Sequence, residues 1–192
     1  MKIAILGWGS LIWDKRTLRI AGDWQTGGPI LPIEFSRISS DRRLTLVIDP
    51  QNGVPVPSLF ARSEFANLND AIANLREREN TSSEKIGYVN LVNHTERDYA
   101  RTHHSAACDA IKLWARAHDW QAVIWTALIS NFAAKQNTPF AVAAAVDYIA
   151  GLSGPGKATA LEYIQRAREE IDTPVRRLLL EQQILPITGN TA

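Results

Sequence analysis

Two glycines near the amino terminus flank a tryptophan and precede a serine, directly after a short apolar run. The stretch reads Ile3-Ala4-Ile5-Leu6-Gly7-Trp8-Gly9-Ser10-Leu11. A buried strand that ends in a turn has this pattern, and glycines supply unusual φ angles and let backbone N–H groups approach a bound anion closely. The loop could therefore hold a carboxylate or a phosphate. The open alternative is that the glycines merely turn the chain.

A glutamate about seventy residues further along the chain is the strongest candidate for acid–base chemistry. Leu68, Ile72 and Leu75 recur at the spacing of an amphipathic helix. At about 100° per residue, Glu79 lies within about 20° of Leu68 on the apolar stripe, whereas Glu77 lies about 180° away. A carboxylate that faces the interior is costly unless paired, and such groups serve as general acids and bases. The helix could instead end before Glu79, or Arg76 or another basic residue could pair with it at the rim.

Other reactive residues form weaker patterns. The only cysteine, Cys108, follows His104 by four residues, which places both on one helical face. A metal pair or a thiol nucleophile would need a third group, so we predict neither a metal site nor a cofactor. Ser10 lacks the Gly-x-Ser-x-Gly pattern of serine hydrolases, and Ile12 stands where a dinucleotide-binding loop has its third glycine.

Composition excludes several classes of protein. The 192 residues are 45% hydrophobic and 21% charged, which is typical of one globular domain, predicted over residues 1–192. Lys and Arg total 21 against 20 Asp and Glu, so no basic surface for nucleic acid is expected. No stretch approaches the ~20 apolar residues of a membrane helix. The single cysteine favours a reducing compartment, so we predict a cytoplasmic protein. The oligomeric state is not determined by the sequence.

The elements that must position these residues are strands in the first part of the chain and helices in the last. The segment 17–28 is predicted to be irregular and to form a wall near the glycine turn. Glu34 alternates with apolar neighbours and is expected to face outward or to bind an arginine. The fold class is therefore α/β (mixed α+β), with a helical part from about residue 131. The predicted strands cover 2–6, 33–37, 44–48, 58–62, 86–93 and 122–129, and the predicted helices begin with 68–79 and 106–118 and continue from 138.

Three motifs together resemble the γ-glutamyl cyclotransferase-like superfamily. They are Gly7-Trp8-Gly9-Ser10-Leu11-Ile12-Trp13, Asn74-Leu75-Arg76-Glu77-Arg78-Glu79 and Gly87-Tyr88-Val89. Members have a Tyr-Gly-Ser-Leu loop after the first strand and a glutamate that closes a Leu-x-x-x-Glu helix end, shortly before a strand with a tyrosine. The resemblance spans roughly residues 2 to 130. It implies a small curved mixed sheet or barrel surrounded by helices.

The resemblance also implies a reaction and a set of site residues. Glu79 corresponds to the catalytic glutamate, and the substrate, a small γ-glutamyl molecule, would bind without cofactor or metal. The loop amides would hold its α-carboxylate while the glutamate takes a proton from its α-amine, which then attacks the γ-carbonyl and closes 5-oxoproline. The expected substrate-binding residues are Gly7, Trp8, Gly9, Ser10, Leu11 and Tyr88.

The sequence departs from the family pattern at two positions. Trp8 replaces the tyrosine of the loop, and Asn80 follows the glutamate where many members have glycine. The Trp8 replacement leaves the choice among γ-glutamylamines, peptides and glutathione open. Two other functions also remain open, namely a non-catalytic binder of a small carboxylate and an amidase that uses the same pocket.

Overall fold

The chain forms nine β-strands and seven α-helices within residues 1–186, the part that the computed structural model describes. The predicted domain extends to residue 192, so its last six residues lie outside this part. The strands are β1 (Ile3–Gly7), β2 (Ile20–Gln25), β3 (Ile30–Ile38), β4 (Leu44–Ile48), β5 (Val54–Pro57), β6 (Leu59–Ser63), β7 (Ile86–Asn90), β8 (Thr95–Glu96) and β9 (Ala122–Thr126). The helices are α1 (Leu68–Glu79), α2 (Asp98–His103), α3 (Ser105–Ala117), α4 (Phe132–Gln136), α5 (Val142–Gly151), α6 (Gly154–Arg166) and α7 (Pro174–Glu181). The predicted mixed α+β class is confirmed.

The first strand lies in the middle of a six-stranded mixed sheet. The strand order is β2-β6-β1-β9-β7-β8, and β1 is antiparallel to β6 and parallel to β9. All five residues of β1 are buried, which explains its unbroken apolar sequence. The loop that follows Gly7 therefore begins at the carboxyl end of a central strand. The neighbouring strands β6 and β9 fix its position.

A second, three-stranded antiparallel sheet has the order β4-β3-β5. Its pairing includes Phe35 with Leu46, and the register shifts between Phe35 and Arg37, so that Arg37 pairs with Thr45. Phe35 and Leu46 belong to the same buried cluster as Trp8 and Leu6. The two sheets therefore share one core, and the glycine loop lies where they meet.

Helix α1 begins and ends where the sequence predicts. The Asn67 side chain caps its start by accepting a hydrogen bond from the Asn69 N–H (2.8 Å). Asn80 ends it in the left-handed region, with φ 49°. Asparagine tolerates this conformation better than most residues other than glycine. Asn80 thus ends the helix in the conformation that a glycine would adopt easily.

Two local predictions are wrong. Segment 17–28 contains β2, which lies at the edge of the large sheet and is mostly exposed, so it lacks the apolar alternation of a half-buried strand. Glu34 is fully buried and binds no arginine. Its carboxylate accepts hydrogen bonds from the Phe35 N–H (2.6 Å) and from the Val175 N–H (3.4 Å) at the start of α7. An outward position was expected because alternation does not reveal that α7 covers this strand.

Candidate functional site

The glycine loop and Glu79 line one cavity of about 450 Å³. Its walls come from the end of β1, from β3 and β4, from the end of α1 and from α6, and its volume is within the range of small-molecule sites. The predicted residues Gly7, Trp8, Gly9, Ser10, Leu11 and Glu79 all line it. The remaining lining residues are Leu6, Arg16, Arg37, Ser39, Ser40, Asp41, Arg43, Thr45, Leu46, Val47, Arg78, Asn80, Thr81, Thr126, Leu128 and Tyr163.

In the loop after β1, backbone carbonyl groups accept hydrogen bonds from later residues of the turn, whereas some backbone N–H groups have no backbone acceptor among the described residues. The Gly9 carbonyl accepts a hydrogen bond from the Ile12 N–H (3.0 Å), and the Ser10 carbonyl accepts one from the Asp14 N–H (2.9 Å). Within residues 1–186, no backbone carbonyl accepts from the N–H groups of Gly9, Ser10 and Leu11, and the Ser10 N–H donates to the Tyr163 hydroxyl. The N–H groups of Gly9 and Leu11 have no backbone acceptor among the described residues, and N–H groups of a turn can bind an anion such as a substrate carboxylate.

Both glycines of the loop are needed because neighbouring side chains lie close to them, not because the backbone has an unusual φ angle there. Neither glycine has a positive φ, contrary to the expectation from sequence. A Cβ on Gly7 would lie 2.9 Å from the Trp24 ring, and a Cβ on Gly9 would lie 2.8 Å from the Tyr163 hydroxyl. Contacts this short force a neighbour to move, so a larger residue at either position would push an aromatic side chain away from the loop.

Arg78 joins the two halves of the site. Its side chain is only 4% exposed and donates to the Asp14 carbonyl from Nε (3.1 Å) and from Nη2 (2.6 Å). Nη2 also contacts the Ser10 hydroxyl (3.3 Å), and Nη1 forms an ion pair with Glu79 Oε1 (2.5 Å). One planar guanidinium therefore fixes the loop against the carboxylate, with the forked geometry that arginine provides.

Glu79 is partly buried, with 15% of its side chain exposed, and its ion pair with Arg78 uses Oε1. Among the described residues, Oε2 accepts no hydrogen bond. The basic residue that the sequence left open as a partner is thus Arg78, which lies on the buried side of α1 together with Leu75. The arrangement leaves one carboxylate oxygen for a ligand in the cavity.

Tyr163 reaches the site from α6, in the part of the chain that the family motifs do not cover. Its ring packs edge-on against Trp13 (5.5 Å between centroids) and against Phe35 (6.3 Å). Burial raises the pKa of its hydroxyl, while the backbone groups of Leu46 and Ser10 lower it by hydrogen bonding. Sequence reasoning missed this residue because nothing local in α6 distinguishes a core tyrosine from one that supports a loop.

Two predicted binding residues lie differently from what the motif suggests. Tyr88 is not among the described residues that line the cavity, and its ring lies under the Arg97 guanidinium (4.9 Å). Trp8 lines the cavity, yet it is only 6% exposed and belongs to the core shared by the two sheets. The bulk of the tryptophan is therefore accommodated in the core.

Arginines dominate the charge of the cavity. Asp41 and Glu79 are the acidic residues that line it, against four arginines, which are Arg16, Arg37, Arg43 and Arg78. Asp41 is paired with Arg43 (2.8 Å), whose hydrogen bond, together with one from Ser39, lowers the pKa of this carboxyl although partial burial opposes the shift. The net positive charge favours an anionic ligand.

The histidine and cysteine pattern gives no reactive site. His104 and Cys108 are both buried, and burial lowers the pKa of His104 to about 4 and raises that of Cys108 to about 11. A thiol in such surroundings is not a nucleophile at neutral pH. Within residues 1–186, no group of three or more His, Cys, Asp or Glu side chains has the arrangement of a metal site.

Comparisons of the chain with protein-family models, curated proteins and solved structures found no match in any of the three. No helix in residues 1–186 has the length and hydropathy needed to cross a membrane. The chemistry of the cavity is therefore the basis for assigning a function.

Proposed function

We propose that the protein is a γ-glutamyl cyclotransferase-like enzyme, with the fold that this resemblance implies, and that it releases 5-oxoproline from a γ-glutamyl compound. The observation on which the proposal rests is that Glu79 and the loop residues Gly9, Ser10 and Leu11 line one cavity, and that the N–H groups of Gly9 and Leu11 have no backbone acceptor among the described residues. They come from elements about seventy residues apart, and Arg78 bridges them directly. The single cysteine supports a cytoplasmic location.

The loop would hold the substrate α-carboxylate, which orients the adjacent α-ammonium group towards Glu79. Transfer of a proton to Oε2 frees the amine, whose lone pair attacks the γ-carbonyl carbon and forms the ring C–N bond. The bond to the leaving nitrogen then breaks. The lactam keeps one of the three ammonium protons, and the leaving amine gains the other two, so Glu79 acts first as base and then as acid. Holding both reacting groups of one molecule in register supplies much of the rate enhancement.

Arg78 has a supporting role in this scheme. It binds Oε1 and leaves Oε2 unbound among the described residues, so the carboxylate presents a defined oxygen to the substrate. Arg78 is thus a positioning residue rather than a group that exchanges protons.

Two glutamates on α1 provide a matched test. Purified protein is incubated with γ-glutamyl amines and peptides, and 5-oxoproline is quantified. Glu79→Gln keeps the shape of the side chain without the base, so release should fall by about 10²- to 10⁴-fold. Glu77→Gln, exposed on the same helix, should retain full activity. Equal activity of Glu79→Gln and wild type would exclude the mechanism.

The ion pair between Arg78 and Glu79 supports a second candidate, a binder without turnover, because it engages one oxygen of the carboxylate. Calorimetry that shows tight binding of a γ-glutamyl compound, with neither 5-oxoproline nor glutamate released, would establish this function. Release of free glutamate instead of the lactam would identify an amidase.

A further inference from the structure

Within the described part of the chain, Arg37 differs from the other arginines of the cavity in having no ion pair. Arg16 pairs with Asp14 (3.0 Å), and Arg43 and Arg78 pair with Asp41 and Glu79 as described above. No carboxylate of residues 1–186 lies within 4.0 Å of the Arg37 guanidinium. Arg37 therefore supplies a positive charge that the described protein residues leave uncompensated.

The position of Arg37 makes this charge costly. The side chain is half-buried at the register shift in β3, and burial lowers the pKa of its guanidinium. Its single hydrogen bond to the described residues runs from Nη1 to the Ile129 carbonyl (2.9 Å). A guanidinium has five N–H donors, so most of them remain available to a ligand in the cavity.

Neighbouring hydrogen bonds hold Arg37 in place. The segment after β9 is tied to β3 on both sides of this residue. Ser130 donates from Oγ to the Ser36 carbonyl (2.7 Å), and Asn131 exchanges two hydrogen bonds with the Ile38 backbone (2.8 and 2.9 Å). The Ile129 carbonyl that receives Nη1 is thereby fixed as well. Such preorganisation is typical of a binding group and reduces the entropy lost when a ligand binds.

We propose that Arg37 determines specificity by binding a second anionic group of the ligand, separate from the α-carboxylate held by the loop. The ligand would then be a γ-glutamyl compound whose leaving amine has an acidic group, either a carboxylate or a phosphate-like group. This inference rests on the proposed function for the γ-glutamyl half of the ligand. It excludes neutral γ-glutamylamines as the preferred substrates.

The test compares ligands that differ in one charge. The probes are γ-glutamylalanine, its neutral alaninamide and the analogue with a phosphonate in place of the alanine carboxylate. Binding is measured by calorimetry on Glu79→Gln, so that turnover does not interfere. The acids should bind about tenfold or more tightly than the amide, and adding Arg37→Gln should remove this preference without weakening the amide. The tighter of the two acids identifies the anionic class.

Two further variants control the test. Arg37→Lys keeps the charge without the forked geometry and should retain part of the preference, and it is the variant to use if Arg37→Gln fails to fold. Arg116→Gln removes an exposed arginine from α3, outside the cavity, and should leave all three affinities unchanged. Equal binding of acid and amide, or equal weakening of both by Arg37→Gln, would overturn the proposal.

Kinetics of 5-oxoproline release separate this inference from the proposed function. Binding that prefers the acids through Arg37, without any 5-oxoproline from wild type, would refute turnover and support the second anion site. Release from acid and amide with the same kcat/KM, in wild type and in Arg37→Gln alike, would support turnover and refute the site. Failure of all three compounds to bind would refute both.

Discussion

Arg78 and Glu79 are adjacent in the chain and form an ion pair with each other, with Nη1 2.5 Å from Oε1. Adjacent residues of a helix point about 100° apart, yet the guanidinium of the buried Arg78 reaches the Glu79 carboxylate. The same guanidinium binds the Asp14 carbonyl and the Ser10 hydroxyl. It makes the geometry of the loop and that of the carboxylate mutually dependent.

Removal of Arg78 should therefore affect stability and catalysis together. Arg78→Ala leaves Glu79 and the Asp14 carbonyl without their partner, and should lower the free energy of unfolding by about 3 kcal/mol. Arg78→Lys retains the charge but not the fork, so it should restore part of the stability while kcat remains lower than in wild type. Urea denaturation and steady-state kinetics measure the two effects. Arg76→Ala, exposed on the same helix, should change neither, and a similar result for Arg78→Ala would refute the role of the bridge.

Gly9→Ala should destabilise the protein because its Cβ would lie 2.8 Å from the Tyr163 hydroxyl. We expect a loss of about 1–3 kcal/mol in the free energy of unfolding, measured by denaturant titration. Adding Tyr163→Phe removes the clashing oxygen and should recover part of this loss in a double-mutant cycle. Gly156→Ala is the matched control, since that glycine lies in α6 with open space around its Cβ position. Additive effects of Gly9→Ala and Tyr163→Phe would contradict the proposed clash.

Asn80 should be replaceable by glycine but not by alanine. A φ of 49° is unfavourable for a residue that has a Cβ but no side-chain group able to hydrogen-bond to the nearby backbone. Asn80→Ala should thus lower the unfolding free energy by about 1 kcal/mol, whereas Asn80→Gly should stay within about 0.5 kcal/mol of wild type. Thermal or chemical denaturation of both variants decides the point. Equal stability of the two variants would show that the left-handed cap is unimportant.

Glu34 should make stability depend on pH. Burial is the main cause that raises its pKa to about 7 from the ordinary 4.5, so the folded state binds this proton more tightly than the unfolded chain does. The contribution of Glu34 is fully present below about pH 4.5 and is lost as the pH rises to about 7, by about 3 kcal/mol in total. The difference in unfolding free energy between wild type and Glu34→Gln, followed by denaturation at several pH values, should fall by this amount.

His104 acts in the opposite direction over an overlapping range. Its pKa is lowered to about 4 from 6.5, mainly by burial, so its contribution is present above about pH 6.5 and is lost as the pH falls towards 4. The two contributions oppose each other, so the free energy of unfolding of wild type alone changes little with pH. The difference in unfolding free energy between wild type and Glu34→Gln isolates the contribution of Glu34. Glu181→Gln, exposed at the end of α7, should give a flat difference. A flat difference for Glu34→Gln as well would contradict the shifted pKa.

Local features of the chain were predictable because they depend on spacing alone. The apolar residues of α1 define its buried face, and the run Ile3–Leu6 is typical of a buried strand. The same periodicity singled out Glu79 before any contact was known. The role of Glu79 as a catalytic group stays a prediction until the kinetics are measured.

The sequence by itself determined the mixed α+β class, the helix that ends at Glu79 and the glycine turn after the first strand, since periodicity and turn chemistry act over a few residues. Only the tertiary structure decided which side chains meet. Packing of α6 brings Tyr163 against Gly9, packing of α7 buries Glu34, and the segment after β9 binds the half-buried Arg37, which has no ion pair within residues 1–186. Contacts between residues this far apart follow from how sheets and helices pack, which no local pattern encodes.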